Sequence, residues 1–104
     1  MRRVGFGPDA AQDLADILEW IETQASAAVA GSYVERLVSY CERLSHFPER
    51  GASRDDLRPG LRLLGFERRA TIAFTVVEDS VLIVRVFYGG RDIEAAFGGA
   101  EHDD

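Results

Sequence analysis

The chain has 104 residues, 46% of them hydrophobic, and a net charge of −6. That length suits one domain around one core, and the negative balance speaks against non-specific nucleic-acid binding, which needs cations to neutralise phosphates. A single cysteine, Cys41, excludes an internal disulfide, and with only His46 and His102 beside it no metal-site spacing arises, so neither metal nor cofactor is expected.

The N-terminal MRRVGFGPDA lacks an apolar signal region and no apolar run is long enough to span a bilayer, which predicts a cytoplasmic protein without membrane attachment. Residues 3–7 (RVGFG) alternate as a short strand that ends at Gly7-Pro8. Pro8 suits the first turn of a helix, and Leu14, Ile17, Leu18, Ile21 and Ala25 then recur at helical spacing. Asp13, Asp16, Glu19 and Glu22 read as its solvated face. After the alanine-rich link ASAAVAG, a second helical stripe starts at Tyr33 and runs through Val34, Leu37, Tyr40, Cys41 and Leu44 to Phe47, where Pro48 closes it.

A polar loop, ERGASRDDLRPG (49–60), leads into three strand-like runs, Leu61–Phe66, Ala70–Val77 and Val81–Tyr88, joined by hairpin-length links. The order β-α-α-β-β-β predicts an α+β fold in which a helical hairpin packs on a small antiparallel sheet. On the second run Ile72, Phe74 and Val76 are expected to face the helices. On the third, Leu82, Val84 and Val86 are expected inward, with Val81, Ile83, Arg85 and Phe87 outward. Residues 1–97 form the predicted domain and 98–104 an acidic, disordered tail carrying His102.

Charge is unevenly spread: residues 1–49 carry −4, residues 50–91 carry +3, and residues 92–104 carry −5. Every basic residue is an arginine, which fits GC-rich coding as well as an interface role. Arg62 and Arg85 at outward strand positions, with Arg91 after the last strand, could converge on one sheet face beside Tyr88; a solvated face is the competing reading. Trp20 stands off the centre of its helix's stripe and reads as a half-exposed partner contact or as an edge cover. Cys41, in the apolar phase, reads as a buried inert thiol, and His46 as a helix-end or surface residue. Gly89-Gly90 lets the last strand turn, holding Arg91 and Asp92 at its rim.

The element order, the Phe6-Gly7-Pro8-Asp9-Ala10 entry, the Pro59-Gly60-Leu61-Arg62 loop end and the closing VLIVRVFYGGRDIE together resemble the RelE/ParE superfamily of toxins, on the ParE branch. The resemblance implies the toxin of a type II toxin–antitoxin pair, inhibiting DNA gyrase by stabilising its cleaved-DNA complex and held in check by a ParD-like antitoxin with a ribbon-helix-helix DNA-binding part. It implies binding rather than catalysis. The ribonuclease branch bears a Tyr-Arg pair where this chain has Ala70-Thr71, lysines that this chain lacks, and a terminal tyrosine near the place of Phe97; only Arg91 matches. A RelE-type ribosome-dependent messenger RNA endoribonuclease and an inactive antitoxin-binding protein are the alternatives. Target contact is expected from Arg62, Arg85, Tyr88 and Arg91. Antitoxin contact is expected from the hairpin edge at Trp20 and Tyr33 and from Arg58, Arg62 and Arg85, which would draw an acidic segment into a hetero-oligomer.

Overall fold

The computed structural model describes residues 2–98; the expected tail lies outside them from residue 99 onward. The elements are β1 (Arg3–Phe6), α1 (Pro8–Gln24), α2 (Ala27–Glu42), a 3-10 turn (Arg43–Ser45), β2 (Ala52–Ser53), β3 (Arg62–Phe66), β4 (Ala70–Val77), β5 (Ser80–Tyr88) and α3 (Ile93–Ala96). The α+β class and the helical hairpin stand as predicted. The sheet itself is larger than predicted and mixed, with strand order β1-β5-β4-β3-β2. Its first strand lies parallel to β5, pairing Val4 with Val81 and Phe6 with Ile83. A parallel partner needs a long crossover, and the helical hairpin and the three later strands intervene to supply it.

Pro8, at the start of α1, follows Gly7 and brings Asp9 into the first turn. Ala10, Asp13, Ile17 and Ile21 form the buried stripe. α2 starts earlier than the sequence suggested, because the Ser26 side chain accepts the Val29 N–H at 3.1 Å and caps it. The small residues expected to form a link instead build its first turns, as the high helix propensity of alanine favours. Only Ala25 and Ser26 remain between the helices. Ala30, Tyr33, Leu37 and Cys41 then share one buried face. No helix among the described residues is long and apolar enough to cross a membrane.

The main core lies between this hairpin and the sheet, where Leu37, Leu44, Ile72, Phe74, Val81 and Ile83 are sealed from solvent. On β4 the inward set is Ile72, Phe74 and Val76, as predicted. On β5 the prediction holds for Val86 and Phe87 but fails from Val81 to Val84, for a local reason. Ala73 faces Arg85 but Phe74 faces Ile83, so Val84 is an extra residue in the ladder. This bulge shifts the alternation by one place. Val81 and Ile83 face the helices before it, whereas Val86 and Tyr88 do so after it, and Leu82 is left 42% exposed.

The opposite sheet face, expected to be open, is partly closed. Leu61, Ala73 and Phe87 are buried there beneath Leu57, Leu63, Val84, Ile93 and Phe97. The Phe97 ring meets Phe87 edge-on at 6.0 Å, with the Arg58 guanidinium 5.1 Å from its centre. Asp92 caps α3 by accepting the Ala95 N–H at 3.2 Å.

Candidate functional site

Two of the arginines predicted to meet partners are committed inside the fold. Arg62 donates to the backbone carbonyls of Glu49, Arg50 and Gly51 at 2.9 to 3.3 Å and so pins the loop ahead of β2. Gly51 has φ +82°, and a side chain there would run into the Leu63 carbonyl. Arg62 is therefore a loop clamp rather than an outward donor.

Arg85 holds Asp13 in a forked pair, Nε to Oδ2 at 2.7 Å and Nη2 to Oδ1 at 3.0 Å. The same Asp13 carboxylate accepts the Val86 N–H at 2.8 Å. β1 ends opposite Ile83, so the far half of β5 has no strand on that side, and Asp13 satisfies a backbone donor that would otherwise be orphaned. The guanidinium also lies over the Phe87 ring at 5.1 Å. Hydrogen bonding to Asp13 keeps Arg85 firmly protonated against the desolvation of its site. The outward, available Arg85 of the sequence reading is thus corrected, and so is Asp13, which is 8% exposed rather than solvated.

Apart from Arg58, which lies in neither hollow and stacks on Phe97, the residues that remain free gather at the other end of the hairpin. Trp20, 55% exposed, separates two adjoining hollows. One, of about 640 Å³, is lined by Ile21, Ala25, Val29, Tyr33, Arg36 and Arg69, among others. The second, of about 400 Å³, contains Asp13, Asp16, Arg69, Tyr88 and Arg91. Sheet register explains the meeting: Ala70 pairs with Tyr88, and the Gly89 N–H donates to the Arg69 carbonyl at 2.9 Å. Gly89 takes φ +76° and turns the chain so that Arg91 follows at the rim.

Tyr33, expected on the exposed edge, is instead 7% exposed and forms the cleft floor. Its ring packs edge-on against Phe66 at 5.6 Å and Tyr88 at 5.7 Å. Its hydroxyl is buried without a hydrogen-bond partner among the described residues. Burial, with smaller contributions from Tyr88 and Glu67, pushes that hydroxyl up to about 12, so it stays neutral and is unsuited to proton transfer near pH 7. Arg36 and Glu67 form a forked pair with both contacts at 3.0 Å along the cleft wall, which holds Glu67 below its ordinary carboxylate range.

Sequence reasoning missed Arg69 and Val29. The signal for Arg69 was its place in a hairpin link, since the residue before β4 must lie beside the residues after β5 once those strands pair. Val29 lay in the segment read as a link, although Ser26 three residues earlier was a cap signal. Arg58 is exposed apart from its stack on Phe97. Among the described residues no His, Cys, Asp and Glu side chains gather into a metal-holding group.

Residues 4–93 match the family model described as the ParE toxin of the type II toxin-antitoxin system parDE. Over 70 residues the chain is 34% identical to Toxin ParE3 of Caulobacter vibrioides, a stretch covering 67% of this chain and 69% of that relative. A solved structure of the chromosomal ParDE TA system from P. aeruginosa is similar with a TM-score of 0.75 at 26% identity, covering 86% of this chain and 97% of that one.

Proposed function

We propose, from the premise that this chain belongs to the ParE family of toxins of type II toxin–antitoxin systems, that it arrests growth by binding DNA gyrase and holding it on cleaved DNA until a ParD-like antitoxin covers it. One observation carries the regulatory half: Tyr88 and Arg91 stand in the same cleft as Trp20 and Tyr33. A partner segment seated there covers the cation and the aromatic edge left free for a target. With Arg62 and Arg85 tied internally, target contact falls to Arg91 and Tyr88. The antitoxin is taken to be a ribbon-helix-helix protein whose remaining segment wraps the toxin, giving a hetero-oligomer.

Inhibition requires no bond chemistry of the toxin. It needs only tighter binding to the cleaved gyrase complex than to the resealed one, which shifts the enzyme's own equilibrium. The neutral Tyr33 hydroxyl and a Phe97 occupied in packing on Phe87 support binding over messenger RNA cleavage. The test is purified chain added to gyrase, ATP and relaxed plasmid. Linear DNA after detergent and protease, together with an SOS response on expression in cells, is the expected result. Cleaved messenger RNA with intact DNA would overturn it in favour of the ribonuclease reading, and harmless expression of the folded chain would favour an antitoxin-binding protein without activity.

A further inference from the structure

The two hollows beside Trp20 differ in chemistry. The larger has an apolar wall of Ile21, Ala25, Ala28 and Val29, with the Arg36–Glu67 pair also in its lining, and within it Trp20 and Val29 are 55% and 52% exposed. Large side chains of this kind are open at few other places in the described chain. The smaller hollow brings the exposed Arg69 and Arg91 together around Tyr88. Neither has a carboxylate within ion-pair distance among the described residues, whereas Arg36, Arg54 and Arg85 all do.

The acids nearby do not fill that gap. Asp13 is taken by Arg85, Glu67 by Arg36, and Asp16 accepts only the Gln12 amide at 2.9 Å. At the floor of the larger hollow lies Tyr33, whose hydroxyl is buried without a hydrogen-bond partner among the described residues, a costly arrangement.

We propose that this cleft is a bipartite peptide site, taking one large apolar side chain beside Trp20 and Val29 and, from the same segment, a carboxylate between Arg69 and Arg91. The inference rests on the reading above that a protein partner covers the cleft, and it adds the chemistry by which that partner is recognised. A carboxylate suits the cationic half better than a phosphate, because Asp16 stands at its wall and opposes a denser negative charge. The apolar stretch of the other half, with Ile21, Ala25, Ala28 and Val29 beside Trp20, fits a leucine-like or phenylalanine-like side chain. Aromatic anchor and arginine fork side by side are also the residue types that dominate binding hot spots.

The test is a random peptide library displayed on phage and panned against the full chain at low salt. Recovered peptides are expected to pair an acid with a large apolar residue within about one helical turn. Synthetic copies should lose about tenfold or more in affinity, read by fluorescence anisotropy, on Trp20→Ala and on the double substitution Arg69→Gln/Arg91→Gln. The loss caused by the double substitution should shrink as salt rises. All three side chains are exposed, and circular dichroism checks that each variant is folded.

Recovery of no peptide, of peptides without acids, or of peptides indifferent to these substitutions overturns the inference. So does a short single-stranded DNA that binds more tightly than every peptide and is lost with the same variants. DNA breaks in cells with no acidic peptide recovered would sink this inference alone, while acidic peptides recovered from a chain that leaves gyrase untouched would sink only the gyrase reading.

Discussion

At the scale of single residues, Asp13 and Arg85 resolve each other. Asp13 lies four residues before Ile17, in the buried stripe of α1, and Arg85 interrupts an apolar strand. The pair was legible in principle, since two buried charges of opposite sign in one small core must find one another. It was missed because Asp13 was grouped with Asp16 and Glu19 by charge rather than with Ala10 and Ile17 by phase. With Asp13 and Arg85 side chains 9% and 23% exposed, Arg85→Ala strands a nearly buried carboxylate and should cost about 2 to 3 kcal/mol, below the full value for a completely buried pair. Asp13→Asn keeps an oxygen for the Val86 N–H and should cost about 1 kcal/mol. Urea midpoints read both, and a wild-type midpoint for Arg85→Ala would mean that the pair contributes nothing. Cys41 makes a second prediction. Burial pushes its thiol up to about 12, so the folded protein holds the neutral form and almost no thiolate exists at a pH of about 8. Iodoacetamide should label Cys41 only in urea, and labelling of the native protein at a free-thiol rate would contradict the sealed site.

Among the elements, both helices and β3 to β5 could be read from periodicity, while the phase of β5 could not. A run such as VLIVRVF, buried in part on both faces, has no polar alternation to mark its inner side. The bulge at Val84 is a property of how β5 pairs with β4, and nothing in either strand alone announces it. The same strand pairing, rather than any motif, brings Arg69 next to Arg91, which is why half of the candidate cleft was invisible until the sheet was assembled. Trp20 was legible, because a large aromatic off the stripe of an amphipathic helix has no core to enter. The four-residue α3 is held mainly by what it covers, through Ile93 and Phe97 over Leu61, Ala73 and Phe87. Phe97→Ala should therefore cost about 1 to 2 kcal/mol, less than a core phenylalanine, because the ring is only partly buried. It should also raise the fluorescence of a hydrophobic dye bound to the native protein. Unchanged stability and dye binding would show that the outer face is closed by other side chains.

Across the whole molecule, β1 joins the start of the chain to its last strand. Residues 3–6 pair with 80–83, Arg2 donates to the Ser45 carbonyl at 3.2 Å, and Gly7 donates to the Ile83 carbonyl at 2.9 Å. Val4 and Phe6 pack on the same core as Val81 and Ile83, so the strand contributes both a ladder and part of the core wall. Such a contact joins strands more than seventy residues apart in the chain, so its loop-closure cost exceeds that of the neighbouring hairpins. Without it, β5 becomes an edge along its whole length, beside the apolar Val81 and Ile83 and with Leu82 already exposed on the outer face. A bare apolar edge is a template for pairing with another chain. A chain cut to begin at Gly7 should retain helical circular dichroism, since α1 and α2 keep their caps and their shared stripe. It should nevertheless lose cooperative urea unfolding and appear as oligomers in size-exclusion chromatography at concentrations where the full chain is monodisperse. Amide exchange would locate the fault, with protection lost first at Val81 to Ile83 and retained longest in α2. A truncated chain that stays monodisperse and unfolds at the full chain's midpoint would mean that β1 is an accessory to a sheet already stable without it.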